Sequence, residues 1–436
     1  MRKIYTTYVL IFLLFLSARL LAQVPYPAGA QQKPILISGG TIHVGNGLVI
    51  ENGAVTFEAG KLTYVGAASS MPTDKSKYDV IDAVGKQIYP GFVLLNSQVG
   101  LVEVSSVRAT VDADEQGDFN PNVRSLISYN TDSEIIPTFR FNGILLAEVA
   151  PSGGVISGTS SVMQLEGWNW EDAVHTKDVA IHLNWPGMKK RKFDFETFTL
   201  NSEPNPDYGK NVEEINQFFN DAISYGKLST KEVNLKMEAM QGLFSGTQVL
   251  IIHASAAKEI VDGVKLAQAH GVKRMAVLTG DQALKVATFL KENDIPVILP
   301  PVHSIPSRDD DAVDLSYALP GLLSKAGVMI ALSHDGMLAN GRNLPFYAGT
   351  AVAYGMSKEE ALKAITLNPA KIMRIDKMTG TIETGKDATL FISSGDAMDF
   401  TGNKVTEAFI GGKKVILNNK QEELYDRYSR KYGHKK

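Results

Sequence analysis

Two groups of short apolar runs, one near each end of the chain, frame a long middle in which apolar runs alternate with helical periodicity. Between residues 34 and 89 the β-prone runs fall at 35–38, 41–44, 54–58, 62–65 and 80–82, punctuated by glycine. This spacing predicts a meander of strands and tight turns. The texture returns at 389–392, 405–410 and 413–417, broken by Gly385, Gly395, Gly402 and the Gly411–Gly412 pair. Two β segments distant in sequence are expected to pair into one small sandwich, from 34–90 and 380–418.

The middle, 91–379, reads as β/α units around a parallel sheet. A strand at 248–253 precedes a helical pattern at 256–270, 274–278 precedes 281–293, and 296–299 leads into a loop rich in proline and aspartate. A further strand is expected at 328–332, followed by a helix over 358–373. Ser357 precedes that helix with Glu360 three residues on, the arrangement of a capping box. Pro369 lies inside the helical pattern, so a break is expected at Asn368. Residues 105–243 are harder to parse, with insertions expected around 105–220. Strands are expected at 143–149 and 162–165, while 168–186 and 189–207 read as insertions. All three tryptophans, Trp168, Trp170 and Trp185, fall there, either lining a pocket mouth or packing an excursion onto the barrel.

The first residues change the picture of where this fold works. Arg2 and Lys3 precede an apolar run over 8–16 that ends near Ala22, which reads as a secretory signal peptide over 1–22. Its core is short for a membrane span of about 20 residues. The chain has no cysteine, which excludes disulfides, thiolate ligands and thiol nucleophiles together. An exported chain without disulfides suits a bacterial periplasm, with no membrane association after the signal is cleaved. Formal charge is −3, with both signs scattered, so nucleic acid is not expected as a partner. The basic run at 189–192, followed closely by Asp194 and Glu196, reads as a solvated loop.

Candidate chemistry concentrates at the ends of the expected strands. In Pro90-Gly91-Phe92-Val93-Leu94-Leu95-Asn96-Ser97-Gln98, residues two apart on a strand share a side, so Asn96 and Gln98 would face one point. Side-chain amides hydrogen-bond well and bind zinc poorly compared with imidazole or carboxylate. His253 closes an apolar strand, Asp335 follows the strand at 328–332, and His303 follows the strand at 296–299. His253 is either a buried, hydrogen-bonded histidine or a metal ligand. Together, His253, His303 and Asp335 would supply three ligands and leave one position for water, as catalytic zinc requires. Arg342 is placed either to clamp a substrate carboxylate or to anchor its loop. No Gly-x-Ser-x-Gly elbow, phosphate-binding loop or dinucleotide fingerprint is present. The glycine-rich run 153–158 reads as a loop approaching another backbone closely.

The order of these pieces resembles the amidohydrolase superfamily, in its imidazolonepropionase-like branch. Its most specific elements are Ile365-Thr366-Leu367-Asn368-Pro369-Ala370 and the Gly380–Ala388 turn. The resemblance implies a (β/α)8 TIM-like barrel plus a β-sandwich built from both chain ends, with the site at the C-terminal ends of the strands. It also implies divalent metal held by a His-x-His pair on strand 1, a lysine or glutamate on strand 4, histidines on strands 5 and 6 and an aspartate on strand 8. Carried over, the strand 1 places hold Asn96 and Gln98, and Gln164 is the candidate for the bridging place. His253 fits strand 5, Asp335 fits strand 8, and strand 6 offers no imidazole near Leu278. His334, next to Asp335, is expected to point elsewhere.

Two functions follow. One is a hydrolase of carbon–nitrogen bonds in non-peptide or cyclic amides, with one divalent metal such as zinc or with none. There His253 and Asp335 would be catalytic, and Asn96, Gln98, Gln164 and Arg342 would bind substrate. The other is a barrel without turnover that binds a small molecule, or partners an intact paralogue as a heteromer or its own copy as a homo-oligomer.

Overall fold

The computed structural model describes residues 26–434 except 72–73, 195–197, 307 and 309; the expected signal peptide lies outside the described residues. Eight strands form the barrel sheet: β1 (Phe92–Ser97), β2 (Ile144–Val149), β3 (Ile156–Gln164), β4 (Val174–Asn184), β5 (Val249–His253), β6 (Met275–Leu278), β7 (Val297–Leu299) and β8 (Ile330–Leu332). Each pairs with its neighbours in chain order, and a parallel bridge between Leu95 and Ser333 joins the first to the last. The Ser333 hydroxyl reinforces that closure by donating to the Leu95 carbonyl at 2.6 Å. The fold is a TIM-like barrel plus a β domain.

One strand departs from the all-parallel expectation. β3 runs antiparallel to both β2 and β4. Parallel strands need a crossover of a dozen or more residues, whereas only Ala150–Val155 separates β2 from β3, so a hairpin is the available connection. Its glycines admit neighbouring backbone. At Gly158, with φ +146°, a Cβ would stand 2.6 Å from the Val123 carbonyl oxygen, and at Gly154, with φ +60°, 2.7 Å from that of Gly117. Gly158→Ala should therefore lose about 1–3 kcal/mol of unfolding free energy through overpacking, measured by urea denaturation; an unchanged midpoint would contradict this packing.

The barrel's inside is a single apolar plug. Val93, Leu95, Leu146, Val162, Ala180, Val249, Ile251, Ala276, Ile298 and Ala331 pack together, and Ala370, Ile372, Met373 and Ile375 join them. On β1 and β5, which contribute two each, these residues lie two apart, the period of one face, and the same parity fixes what lies one step further toward the C-terminal mouth. On β2, β4 and β5 that next inward position is Glu148, His182 and His253.

Several expectations about the middle need correction. The stretch 168–186 is not an insertion: Val174–Asn184 is β4. Trp185 is buried and its indole donates to the Tyr208 hydroxyl at 3.1 Å, while Trp168 is exposed, so none of the tryptophans lines the barrel mouth. Residues 189–207 do form an appendage, the hairpin Lys189–Asp194 with Thr199–Pro204. The helix expected over 358–373 is two helices, Lys358–Lys363 and Leu367–Ile372. The break falls at 364–366, ahead of Asn368, leaving Pro369 in a first turn where a missing N–H costs little. The Ser357 side chain accepts from the Glu360 N–H as expected.

The second sheet draws on both chain ends. Its order is Lys413–Lys414, Val405–Ile410, Leu390–Ser393, Gln87–Pro90, Ile35–His43, Val49–Glu58 and Lys61–Ala67, with Asp79–Asp82 beside Ile35–His43. Phe57 and Phe409 stand on strands four places apart, about 19 Å in a flat sheet, yet their rings meet edge to face at 5.0 Å. The sheet therefore folds over an apolar filling that includes Ile37, Val55, Ile88 and Leu390.

Candidate functional site at the barrel mouth

A chain of hydrogen bonds crosses the mouth from β2 to β5. The buried Glu148 carboxylate accepts from the Asn96 N–H at 2.6 Å through Oε2, while its Oε1 lies 2.7 Å from His182 Nε2. The other nitrogen of that ring, Nδ1, is 2.9 Å from His253 Nε2. The Ser160 hydroxyl of β3 lies 3.2 Å from His182 Nε2. Glu148 and His182 are fully buried.

Burial is the largest influence on Glu148 and opposes its ionisation. The electrostatic attraction of the His182 ring and hydrogen bonds from His182, Ser160 and the Asn96 N–H outweigh it, holding the carboxyl below its ordinary range. An ionised carboxylate only accepts, so His182 donates from Nε2. A single proton then lies between His182 Nδ1 and His253 Nε2. Burial first, and the field of His182 second, push His253 down to about 3, so its ring is neutral at pH 7. Its Nδ1 has no hydrogen-bond partner among the described residues.

His253 opens on a cavity of about 200 Å³ at the C-terminal ends of the strands, where Asn96, Gln98, Asn184, His334 and Asp335 also contribute to the wall. Asn96 reaches it through a local distortion. β1 bulges between Leu94 and Ser97, and Asn96 takes φ +52°, a left-handed conformation asparagine tolerates better than most residues. Asp335 lies past the end of β8, with Oδ1 accepting from the Gly336 N–H at 2.6 Å. His334, expected to point elsewhere, lines the same cavity. It is buried, neither ring nitrogen has a partner, and burial pushes it down to about 4 against the opposing field of Asp335.

Three expected site residues do not join this group. Gln164 pairs with Leu146 toward the opposite end of β2, because the reversal of β3 carries its last residue away from the mouth. His303 lies 2.7 Å from the Thr350 hydroxyl and lines a separate cavity with Phe346 and Phe400, since its loop turns outward after β7. Arg342 does not line the mouth cavity; its carbonyl accepts from the Asn142 side chain at 2.8 Å. Conversely, Glu148 and His182 were not singled out from sequence. An acidic residue inside the apolar run 144–149, and a histidine two places after Ala180, were the visible signals.

The family resemblance implies a divalent metal here, and the donor set does not fit one. Among the described residues no group of three or more histidine, aspartate and glutamate side chains is arranged to hold a cation. Two nitrogens at about 2.1 Å from one tetrahedral zinc would stand roughly 3.4 Å apart, whereas His182 and His253 share a direct hydrogen bond. Both oxygens of Glu148 are engaged, and the inward place on β6 is Leu278, paired in register with His253.

A closed barrel with its polar mouth at the strand ends, joined to a β domain drawn from both termini, defines the amidohydrolase architecture. The sequence pattern of the amidohydrolase family matches residues 146–415, more than half of the chain, and the chain belongs to that family. Imidazolonepropionase of Picrophilus torridus is 28% identical over 218 residues, covering 48% of this chain and 51% of that protein, so the match spans about half the length of this relative. Imidazolonepropionase of Mesorhizobium japonicum is 23% identical over 371 residues, covering 79% of this chain and 87% of that one. Among solved structures, an amidohydrolase from Thermotoga maritima superposes with a TM-score of 0.76 at 24% identity, covering 88% of this chain and 99% of the other, a likeness of fold.

Proposed function

We propose that this protein hydrolyses a carbon–nitrogen bond in a small non-peptide or cyclic amide, with His253 as the base that activates water and no metal in the step. The observation that carries this reading is the buried chain Glu148–His182–His253 ending in the mouth cavity. His253 alone is too weakly basic to hold a proton. A proton taken at its Nδ1 is matched by release of the Nε2 proton to His182 Nδ1, so the positive charge settles on His182, against the Glu148 carboxylate. Water oxygen bonds to the carbonyl carbon, the carbon–nitrogen bond breaks, and the same proton returns along the chain to the leaving nitrogen. Asp335, across the cavity wall, orients the water or an N–H of the substrate. The curated relatives named imidazolonepropionase support a cyclic amide as the substrate class.

A panel of lactams, hydantoins, imidazolones and acyl amides tests this, with release of acid and amine as the readout. His253→Gln should lower kcat/KM by about 10²–10⁴-fold, and Asp335→Asn should lower it as well. Wild-type turnover no higher than that of both variants on every compound would sink the hydrolase. The second reading, a binding barrel that partners an intact paralogue, is favoured by the side-chain amides Asn96 and Gln98 and the apolar Leu278 in the expected ligand places. It predicts co-purification of the two chains from the native cell. The charged-then-apolar start of the chain and the lack of cysteine support export to the periplasm, where the partner would be sought.

A further inference from the structure

The proposed step puts negative charge on the carbonyl oxygen of the substrate, and that charge needs a hydrogen-bond donor. When the oxygen of the activated water bonds to the carbonyl carbon, the π pair moves onto the carbonyl oxygen, and donors held ready where that charge develops are commonly the largest single contribution to such a reaction. No lysine or arginine lines the mouth cavity among the described residues, and five of its side chains carry nitrogen: Asn96, Gln98, Asn184, His253 and His334. Three of these are occupied otherwise. His253 is the base. The Asn184 amide donates to the Gly154 carbonyl and to the Ser157 hydroxyl, each at 2.9 Å, and both ring nitrogens of His334 are buried out of reach.

Asn96 and Gln98 remain, and the ring of strands sets them opposite the base. β1 and β5 stand four places apart in a closed ring of eight, so a small molecule in the cavity lies between the two β1 amides and His253. Both residues are partly exposed, and neither side chain has a hydrogen-bond partner among the described residues, so each amide is free to turn its N–H group to the cavity. Asn96 also holds a costly backbone conformation, φ +52°, with its own N–H pinned on the buried Glu148 carboxylate at 2.6 Å. Glycine would take that conformation without strain, so the turn alone does not call for an amide there. We propose that Asn96 and Gln98 form the oxyanion hole of this site. Their side-chain N–H groups stabilise the charged oxygen until its electron pair returns, the carbon–nitrogen bond breaks and the proton held by the histidine chain passes to the leaving nitrogen. This rests on the proposed hydrolysis and adds the donors that polarise the carbonyl.

Steady-state kinetics of the full chain on the same lactams, hydantoins, imidazolones and acyl amides tests this. Asn96→Gly keeps the left-handed turn and the backbone bond to Glu148 while deleting the amide. It should lower kcat about 10²–10³-fold with KM within about threefold of wild type, and its urea midpoint should not fall. A merely structural Asn96 predicts the reverse, full activity in Asn96→Gly. Gln98→Met, which keeps the length of the side chain and removes the donor, should lower kcat about tenfold or more. It lies outside the left-handed turn, so it tests the oxyanion hole even if Asn96→Gly fails to fold. The proposal is overturned if either folded variant retains wild-type kcat, including the case in which the loss falls on KM alone and so marks uniform binding of the substrate. Those outcomes leave the hydrolase standing. Absence of wild-type turnover on every compound would sink the proposed hydrolysis and this role with it.

Discussion

Glu148→Ala is expected to remove about 3–5 kcal/mol of unfolding free energy, the usual cost of deleting one partner from a buried charged pair. The carboxylate lies inside an otherwise apolar strand, and His182 and Ser160, which it touches, are fully buried with it. Its loss leaves His182 Nε2 without its acceptor and the Asn96 N–H without the oxygen now at 2.6 Å. Asn96 is where β1 bulges into a left-handed turn, so the change also loosens the residue that brings strand 1 to the cavity. Glu148→Gln retains an oxygen for one of these donors and should cost less, about 1–3 kcal/mol. Replacing both members by apolar residues, Glu148→Leu with His182→Phe, should recover much of the loss, because a well-packed apolar pair can match a buried ionic one. Urea denaturation of the four proteins measures this. Equal midpoints for wild type and Glu148→Ala would show that the carboxylate is not anchored as described.

How much of this was legible in the sequence depended on how purely apolar each strand is. β5, β6, β7 and β8 are short apolar runs between helical segments, and they lie where the periodicity placed them. β4 was missed because its first half, Val174–Asp178, is mixed in polarity and lies at the surface in part, and only Val179–Leu183 is wholly buried. That lost His182, and with it the centre of the hydrogen-bond chain. Glu148 was within reach: a charge amid Ile144–Val149 requires a partner inside the barrel, and parity with Leu146 places it at the mouth. The reversal of β3 was not legible, because its strand was expected only over 162–165, a dozen residues past 149 and room enough for a crossover; its start at Ile156 makes the hairpin that puts Gln164 at the far end. The bulge at Asn96 has no comparable signal, because asparagine occupies ordinary strands and left-handed turns alike. His253, Asp335, Asn96 and Gln98 do meet at one cavity, whereas the place of His303 depends on a loop direction that residue spacing does not encode.

Acid should unfold this protein well above the range in which carboxylates titrate. An unfolded histidine takes up a proton near pH 6.5, while His253 and His334 in the folded chain stay neutral until about 3 and about 4. Between those values the unfolded state holds protons that the folded state does not, so lowering the pH favours unfolding; above 6.5 neither state is charged there and the two residues have no effect. Each histidine contributes a slope of up to about 1.4 kcal/mol per pH unit. Glu148 adds to the fall only at lower pH, since its depressed folded value makes its contribution present above the unfolded carboxyl range and lost as pH drops through the folded one. Burial sets the sign for both rings: His182 adds to it at His253 while Glu148 opposes it, and Asp335 favours charge on His334 without overcoming burial. His334→Phe should therefore remove one of the two histidine contributions and leave the other, halving the slope between pH 6 and pH 4.5. Urea midpoints across pH 7.5 to 4.5 provide the measurement, and a flat profile down to pH 5 in the unmutated protein would mean that water or a bound ligand satisfies both rings in the folded state.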